Sequence, residues 1–318
     1  MIERPSDRVW AGCADAADGA TAIRWHQVVR PRGTDVAAVA LQGFACDAGV
    51  ARSSGRTGAA EGPAALRRAL ANLAAHDVGP VDDLGDVGCE GDALESAQED
   101  YAASAAAAMS GGSLVIGLGG GHEIAWASYL ALSHQLDASG SADSVGVINF
   151  DAHFDLRGDE RPNSGTPFRQ ILEHARARGR RVGYHCLGVS RYANTRALFE
   201  RARALGVSWV EDFNLRADRF AEIEGGLREF LARHRRVYLT VCLDVLPGSI
   251  APGVSAPAAL GVDPMLVDRL VEVIVASGQI AIADVAELNP LFDQDDRTAR
   301  IAARFVAHIA GAAARQVG

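Results

Sequence analysis

Cysteine is sparse: five residues, at 13, 46, 89, 186 and 242, an odd number, widely spaced and with no CxxC pair. That usage excludes a disulfide framework and fits a reducing compartment. No apolar run is long enough to span a membrane. The opening MIERPSDRVWAGCADAADGA carries acids and no apolar stretch, so it does not read as a secretory signal. Excess positive charge is missing too: 31 Lys and Arg stand against 40 Asp and Glu, a formal charge of −9. Such a field gives no general grip on nucleic acid or an anionic bilayer. The local basic cluster Arg176, Arg178, Arg180 and Arg181 reads as a solvated helix end and loop. No proline- or serine-rich linker divides the chain and no repeat stands out. The expectation is a cytoplasmic protein with no nucleic-acid or membrane partner, built as a peripheral segment 1–33 and one catalytic domain 34–318.

What is present is an ordinary folded composition, 48% hydrophobic and 22% charged, with short β-rich runs alternating with helical ones. Strands are expected at 36–43, 113–118, 144–150, 184–189, 207–210, 237–243 and 280–285. Helices are expected at 63–73, opened by Pro63, and at 123–136, 169–178, 196–205, 221–234, 264–277 and 297–314. The alanine stretch 101–109 reads as a helix and 44–62 as a glycine-rich loop. Several strands are continuous apolar runs, as in SVGVINF and VYLTVCL, which implies a sheet covered on both faces. Strands separated by helices imply βαβ crossovers. The fold class is therefore α/β, a three-layer α-β-α sandwich with a mainly parallel central sheet.

Ligands of such sheets bind beyond the carboxyl ends of the strands. Three segments put acidic, imidazole or thiol groups there: Gly119-Gly120-Gly121-His122-Glu123 after SLVIGL, Asp151-Ala152-His153-Phe154-Asp155 after SVGVINF, and Cys242-Leu243-Asp244 closing VYLTV. Alternation along an extended segment would turn Asp151, His153 and Asp155 to one side. Two carboxylates and an imidazole suit a hard or borderline divalent ion such as Mn²⁺, which also relieves their mutual repulsion. His122 and Asp244 would complete a shell for two ions. A G-x-G nucleotide loop is the weaker reading of GLGGG, because His122 and Glu123 stand where a phosphate-facing glycine is needed.

These residues resemble the arginase/agmatinase ureohydrolase family, with its GG-x-H, D-A-H-x-D and S-x-D-x-D metal motifs. The resemblance runs from Leu41 to Ile309 and takes in GFACDAGVARSSGRTGAAEGP, NFDAHFDLR, SGTPFRQIL, APGVSAPAALGV and AELNPLFDQDDRTARIAARF. It implies an arginase-like fold, two Mn²⁺ per subunit and a homo-oligomer. Within the family it points to hydrolysis of N-formimidoyl-L-glutamate to L-glutamate and formamide, in histidine degradation, by a hydroxide held between the ions. It puts His122 and Asp155 on one ion, His153 and Asp244 on the other, and Asp151 between them. The chain departs from the motif at Cys242, where a bridging aspartate is usual, and at Ser164, where agmatinase-like members carry histidine. The resemblance gives Glu287 the cationic amidine and Asp155 the proton transfer. Arg157, Arg56 and Arg191 are candidates for the substrate carboxylates, Arg157 first because it follows DAHFD. Another ureohydrolase acting on a guanidine or amidine, or a non-catalytic metal-binding protein, remain the alternatives.

Overall fold

Strong β-formers in apolar runs, each followed by a helical stretch, assemble into a ten-stranded sheet in a computed structural model that describes residues 2–3, 7–33, 35–76 and 78–316. The strands are β1 Ile2–Glu3, β2 Val29–Pro31, β3 Val39–Ala45, β4 Val81–Gly88, β5 Leu114–Leu118, β6 Val145–Phe150, β7 Val182–Val189, β8 Ser208–Glu211, β9 Arg236–Cys242 and β10 Ile280–Ala286. Their order is β1-β4-β3-β5-β10-β9-β6-β7-β8, with β2 beside β4. Every pairing is parallel except β1 with β4.

The helices are α1 Trp25–Val28, α2 Ala48–Arg52, α3 Gly62–Ala71, α4 Leu94–Ser110, α5 Ile124–Ala138, α6 Pro167–Ala177, α7 Arg196–Ala204, α8 Phe220–Ala232, α9 Pro264–Ala276 and α10 Arg297–Gln316. Leu66 of α3, Leu227 of α8, Leu270 of α9 and Phe305 of α10 share one apolar core with Ile148 and Phe150 of β6. Tyr101 of α4, Tyr129 of α5, Phe168 of α6 and Ala202 of α7 share the other with Val145 and Val147. The alternation along β6 thus feeds two cores, one per face. The three-layer α/β expectation holds.

The expected elements lie within a few residues of the observed ones, except that the alanine stretch 101–109 is only the second half of α4, which starts at Leu94. The 44–62 stretch is not wholly loop: it holds α2 and a 3₁₀ turn, Ala59–Glu61. Strand β4 was not expected, nor were β1 and β2, which extend the sheet edge at β4. The N-terminal segment is tied there by Trp10, whose Nε1 donates to Asp83 at 2.7 Å, and by the buried Trp25. Gly179 follows α6 at φ +63°, a left-handed position that glycine fills without strain. In the basic cluster beside it Arg176, Arg178 and Arg181 are exposed, as expected, whereas the Arg180 side chain is largely buried; Arg178 and Arg180 both pair with Asp137.

Strand order positions the site. β5, β10, β9 and β6 are successive neighbours, although β5 and β6 are consecutive in the chain. The chain therefore turns to opposite directions on either side of β10 and β9, and their carboxyl ends open a crevice of the kind that binds ligands.

Candidate metal centre

The glycine run after β5 lets the chain pass between neighbouring strand ends. A Cβ on Gly120 would sit 1.8 Å from the Cys46 carbonyl, and one on Gly119 would sit 2.9 Å from Ala286 Cα. The amides of Gly119, Gly120 and Gly121 donate to Val285, Phe44 and Cys46, which delivers His122 to the crevice. Beyond β6, Asp151 N donates to the Leu187 carbonyl and His153 N donates to Asp151 Oδ1 at 2.6 Å. Asp151, His153 and Asp155 converge, but not through strand alternation. The strand has ended by Asp151, and Asp155 takes φ +47°, so a turn brings the carboxylates round. Cys242 closes β9, and Asp244 sits in the 3₁₀ turn Leu243–Val245 that follows.

These groups meet. His122 Nδ1 lies 2.9 Å from Asp151 Oδ2 and 3.0 Å from Asp155 Oδ2. His153 Nδ1 lies 3.1 Å from Asp244 Oδ2 and 3.4 Å from Asp151 Oδ1. Two donor sets result, His122–Asp151–Cys242 and Asp151–His153–Asp244, each with ligand atoms within 4.8 Å of one another and with Asp151 in common. Asp155 adjoins the first through His122.

Burial lowers the affinity of His122 and His153 for protons, yet the facing carboxylates lift both well above the usual imidazole range. Burial pushes Asp151 up, but the two rings hold it below the usual carboxylate range. Asp155 is raised by burial and by the charge of Asp151. Burial, with the nearby Asp151 and Asp244, raises the Cys242 thiol. Glu287, at φ +72° after β10, is pushed by burial up to about 8. Its Oε1 accepts from His122 N at 2.8 Å. Glu287 Oε2 and Asp244 Oδ1 are buried without a hydrogen-bond partner among the described residues. Buried anionic groups facing one another with only imidazoles between them fit divalent cations.

A cavity of about 350 Å³ opens over the cluster, lined by His122, His153, Asp155, Cys242, Asp244 and Glu287. Arg157, Arg56 and Ser164 also line it, and Arg191 does not. Arg157 runs across Gly165, where a Cβ would come within 2.7 Å of its Cδ. Arg56 is held by the carbonyls of Ser255 and Val254 at 3.0 and 2.5 Å, and its guanidinium lies 3.9 Å from the centre of the Phe292 ring. Arg191 makes a two-pronged pair with Glu211, at 3.1 and 3.0 Å, away from the cavity. Ser164 Oγ lies 3.0 Å from Ser53 Oγ.

Several further residues shape the site. Ser53, Ser54 and Ser255 line the cavity beside the arginines. Asn149 Nδ2 donates to Asp151 Oδ2 and to the Tyr184 hydroxyl, both at 3.0 Å. Its signal was available: a residue two places before a ligand at a strand end shares the ligand's side. Thr240 Oγ1 lies 3.1 Å from His122 Nε2, with the same offset from Cys242.

Residues 37–311 match the arginase family. The chain is 52% identical over 314 residues to a formimidoylglutamase from Ralstonia nicotianae, covering 97% of this chain and 96% of that protein. It is 48% identical over 316 residues to the formimidoylglutamase of Aromatoleum aromaticum, covering 96% and 93%. Among solved structures, Trypanosoma cruzi formiminoglutamase with Mn2+2 superposes with a TM-score of 0.77 at 26% identity, covering 87% of this chain and 94% of that one.

Proposed function

This chain belongs to the arginase family, and on that premise we propose that it hydrolyses N-formimidoyl-L-glutamate to L-glutamate and formamide, a step of histidine degradation, with two Mn²⁺ per subunit. The observation that carries this reading is the pair of donor sets that share the buried Asp151 and whose His122, Cys242, His153 and Asp244 line one cavity. His122, Asp151, Asp155 and Cys242 would hold one ion, and Asp151, His153 and Asp244 the other. Bound there, two divalent cations supply a nucleophile at neutral pH and stabilise charge that develops on the amidine.

The chain's own groups do the rest. Asp155 faces the cavity, and burial raises its carboxyl, so it can take a proton from the attacking water and return it to the departing glutamate nitrogen. Glu287 presents a buried Oε2 with no hydrogen-bond partner among the described residues. A cationic amidine beside it favours the charged carboxylate over the neutral form that burial alone prefers. Arg157, whose guanidinium crosses Gly165 at the cavity wall, is the first partner for the substrate carboxylates. Arg56 is the second, and Ser164 adds a hydroxyl paired with Ser53. The histidine that serves agmatinase-like members is replaced by Ser164, and two wall arginines suit a dicarboxylate better than a diamine.

No helix among the described residues is long and apolar enough to cross a membrane. Scattered free cysteines support the cytoplasm as the working compartment. Assembly as a homo-oligomer rests on the family resemblance, and sedimentation of the purified protein tests it.

The decisive assay follows formamide release from N-formimidoyl-L-glutamate, with and without added Mn²⁺, beside urea release from agmatine and arginine. Mn²⁺-dependent formamide without urea is the expected result. Urea release, or no formamide from metal-loaded protein, overturns the reading.

A further inference from the structure

Behind the metal-facing ring of His122, a chain of polar groups leads away from the cavity into the sheet. His122 Nε2 lies 3.1 Å from Thr240 Oγ1 on β9. Thr240 is the register partner of Asp284 on β10. The Asp284 carboxyl accepts from the Tyr238 hydroxyl at 2.7 Å. The hydroxyls of Thr240 and Ser128 lie beside the same carboxyl, whose Oδ1 has no aligned donor. Asp284 and Thr240 are fully buried, and neither lines the cavity. A carboxyl at the centre of an apolar sheet is costly, and no cation among the described residues pairs with it.

We propose that Asp284 is a positioning residue: through the Thr240 hydroxyl it fixes the His122 ring so that Nδ1, and not Nε2, is presented to the metal. Burial raises the Asp284 carboxyl above the usual range; in its charged form it only accepts, the Thr240 hydroxyl hydrogen then turns to it, and the Thr240 oxygen is left to accept. Nε2 must then carry the ring proton, which leaves the lone pair on Nδ1. Nδ1 is the atom 2.9 and 3.0 Å from Asp151 and Asp155. Hydrogen bonds behind a ligating imidazole commonly select its tautomer and orientation in this way. Among the described residues, the aromatic ring in edge contact with His122 is Phe168, at 5.3 Å between centroids. That packing limits the ring's tilt but does not choose between its nitrogens.

This inference rests on the two-ion reading above, and the experiment separates the two. Metal-free protein is titrated with Mn²⁺ and the free ion is followed by electron paramagnetic resonance. The proteins compared are wild type, Thr240→Ser, Thr240→Val, Asp284→Asn and the double variant Thr240→Val/Asp284→Asn, with melting by circular dichroism as a check on folding. Thr240→Val and Asp284→Asn are each expected to bind one of two ions about 10–100-fold more weakly. Thr240→Ser, which keeps the hydroxyl, stays near wild type. The double variant is no weaker than the worse single one, because both act along one path. Wild-type affinity in Asp284→Asn, or losses that multiply in the double variant, overturns the positioning role. Should Asp284→Asn fail to fold, equal affinity of Thr240→Ser and Thr240→Val does so. A wild type that takes up no Mn²⁺ sinks the metal-centre reading itself.

Discussion

Cys242 puts sulfur into a donor set otherwise made of imidazole and carboxylate. Burial and the neighbouring aspartates raise its thiol, so a cation must displace its proton in order to use it. Thiolate is also softer than Mn²⁺ prefers. Replacing it by the oxygen donor usual at this motif position, Cys242→Asp, should tighten Mn²⁺ at the His122–Asp151 site by on the order of tenfold, about 1.4 kcal/mol. Titration calorimetry reads this directly, and unaltered affinity removes Cys242 from the ligands. The metal residues were legible in the sequence because coordination needs particular atoms and the strand ends supplied them together. The arginines were less so. Nearness in sequence to DAHFD says where a backbone lies, not where a long side chain reaches, and Arg191 reaches Glu211 instead. Hydroxyls such as Ser53 and Ser255 carry no signal until their neighbours across the fold are known.

Most helices and central strands were readable because their apolar patterns are strong, whereas β4 reads VDDLGDVG, a composition that disfavours strands. Tertiary partners override that preference. The fully buried Arg67 of α3 pairs with Asp83 at 2.9 Å and Asp86 at 2.5 Å, and Asp82 accepts from Arg30 and from Ala37 N. A strand whose charges are neutralised from α3 and β2 cannot be recognised without them. At the other side of the sheet, His185 of β7 is tied to β8 and α8: its Nδ1 lies 2.8 Å from Ser208 Oγ, and its ring stacks 5.3 Å from Phe230. Burial depresses this imidazole to about 4. The unfolded chain binds a proton near pH 6.5 while the folded chain refuses it until about pH 4, so stability is full above pH 6.5 and falls as pH drops through that window. The loss attributable to this one group is up to roughly 3 kcal/mol. Urea unfolding of wild type and His185→Gln at pH 7 and pH 5 measures it: the variant should lose less stability between the two values. An identical loss in both proteins means that His185 is not the group responsible.

Across the whole molecule, the crevice is where neighbouring sheet segments bring together carboxyls that repel one another. His122 follows β5, Asp151 follows β6, Cys242 and Asp244 come from β9, and Glu287 follows β10. Without cations, this junction concentrates buried carboxyls in a chain already at −9. The donor sets do not exist in the unfolded chain, so binding energy there becomes folding energy. Mn²⁺ at about 100 times its dissociation constant should add roughly 2.7 kcal/mol for each site filled. At ~2–4 °C per kcal/mol for a chain approaching this size, that is a rise in Tm of several degrees. Calorimetric melts of metal-stripped protein should climb with added Mn²⁺ and fall back with excess chelator. Asp151→Asn, which weakens the one carboxylate common to both donor sets, should abolish most of the rise, and it also answers the objection that Mn²⁺ merely screens surface acids. A Tm indifferent to Mn²⁺, or an equal rise in Asp151→Asn, would mean that the crevice closes on its own hydrogen bonds and holds no ion that matters to the fold.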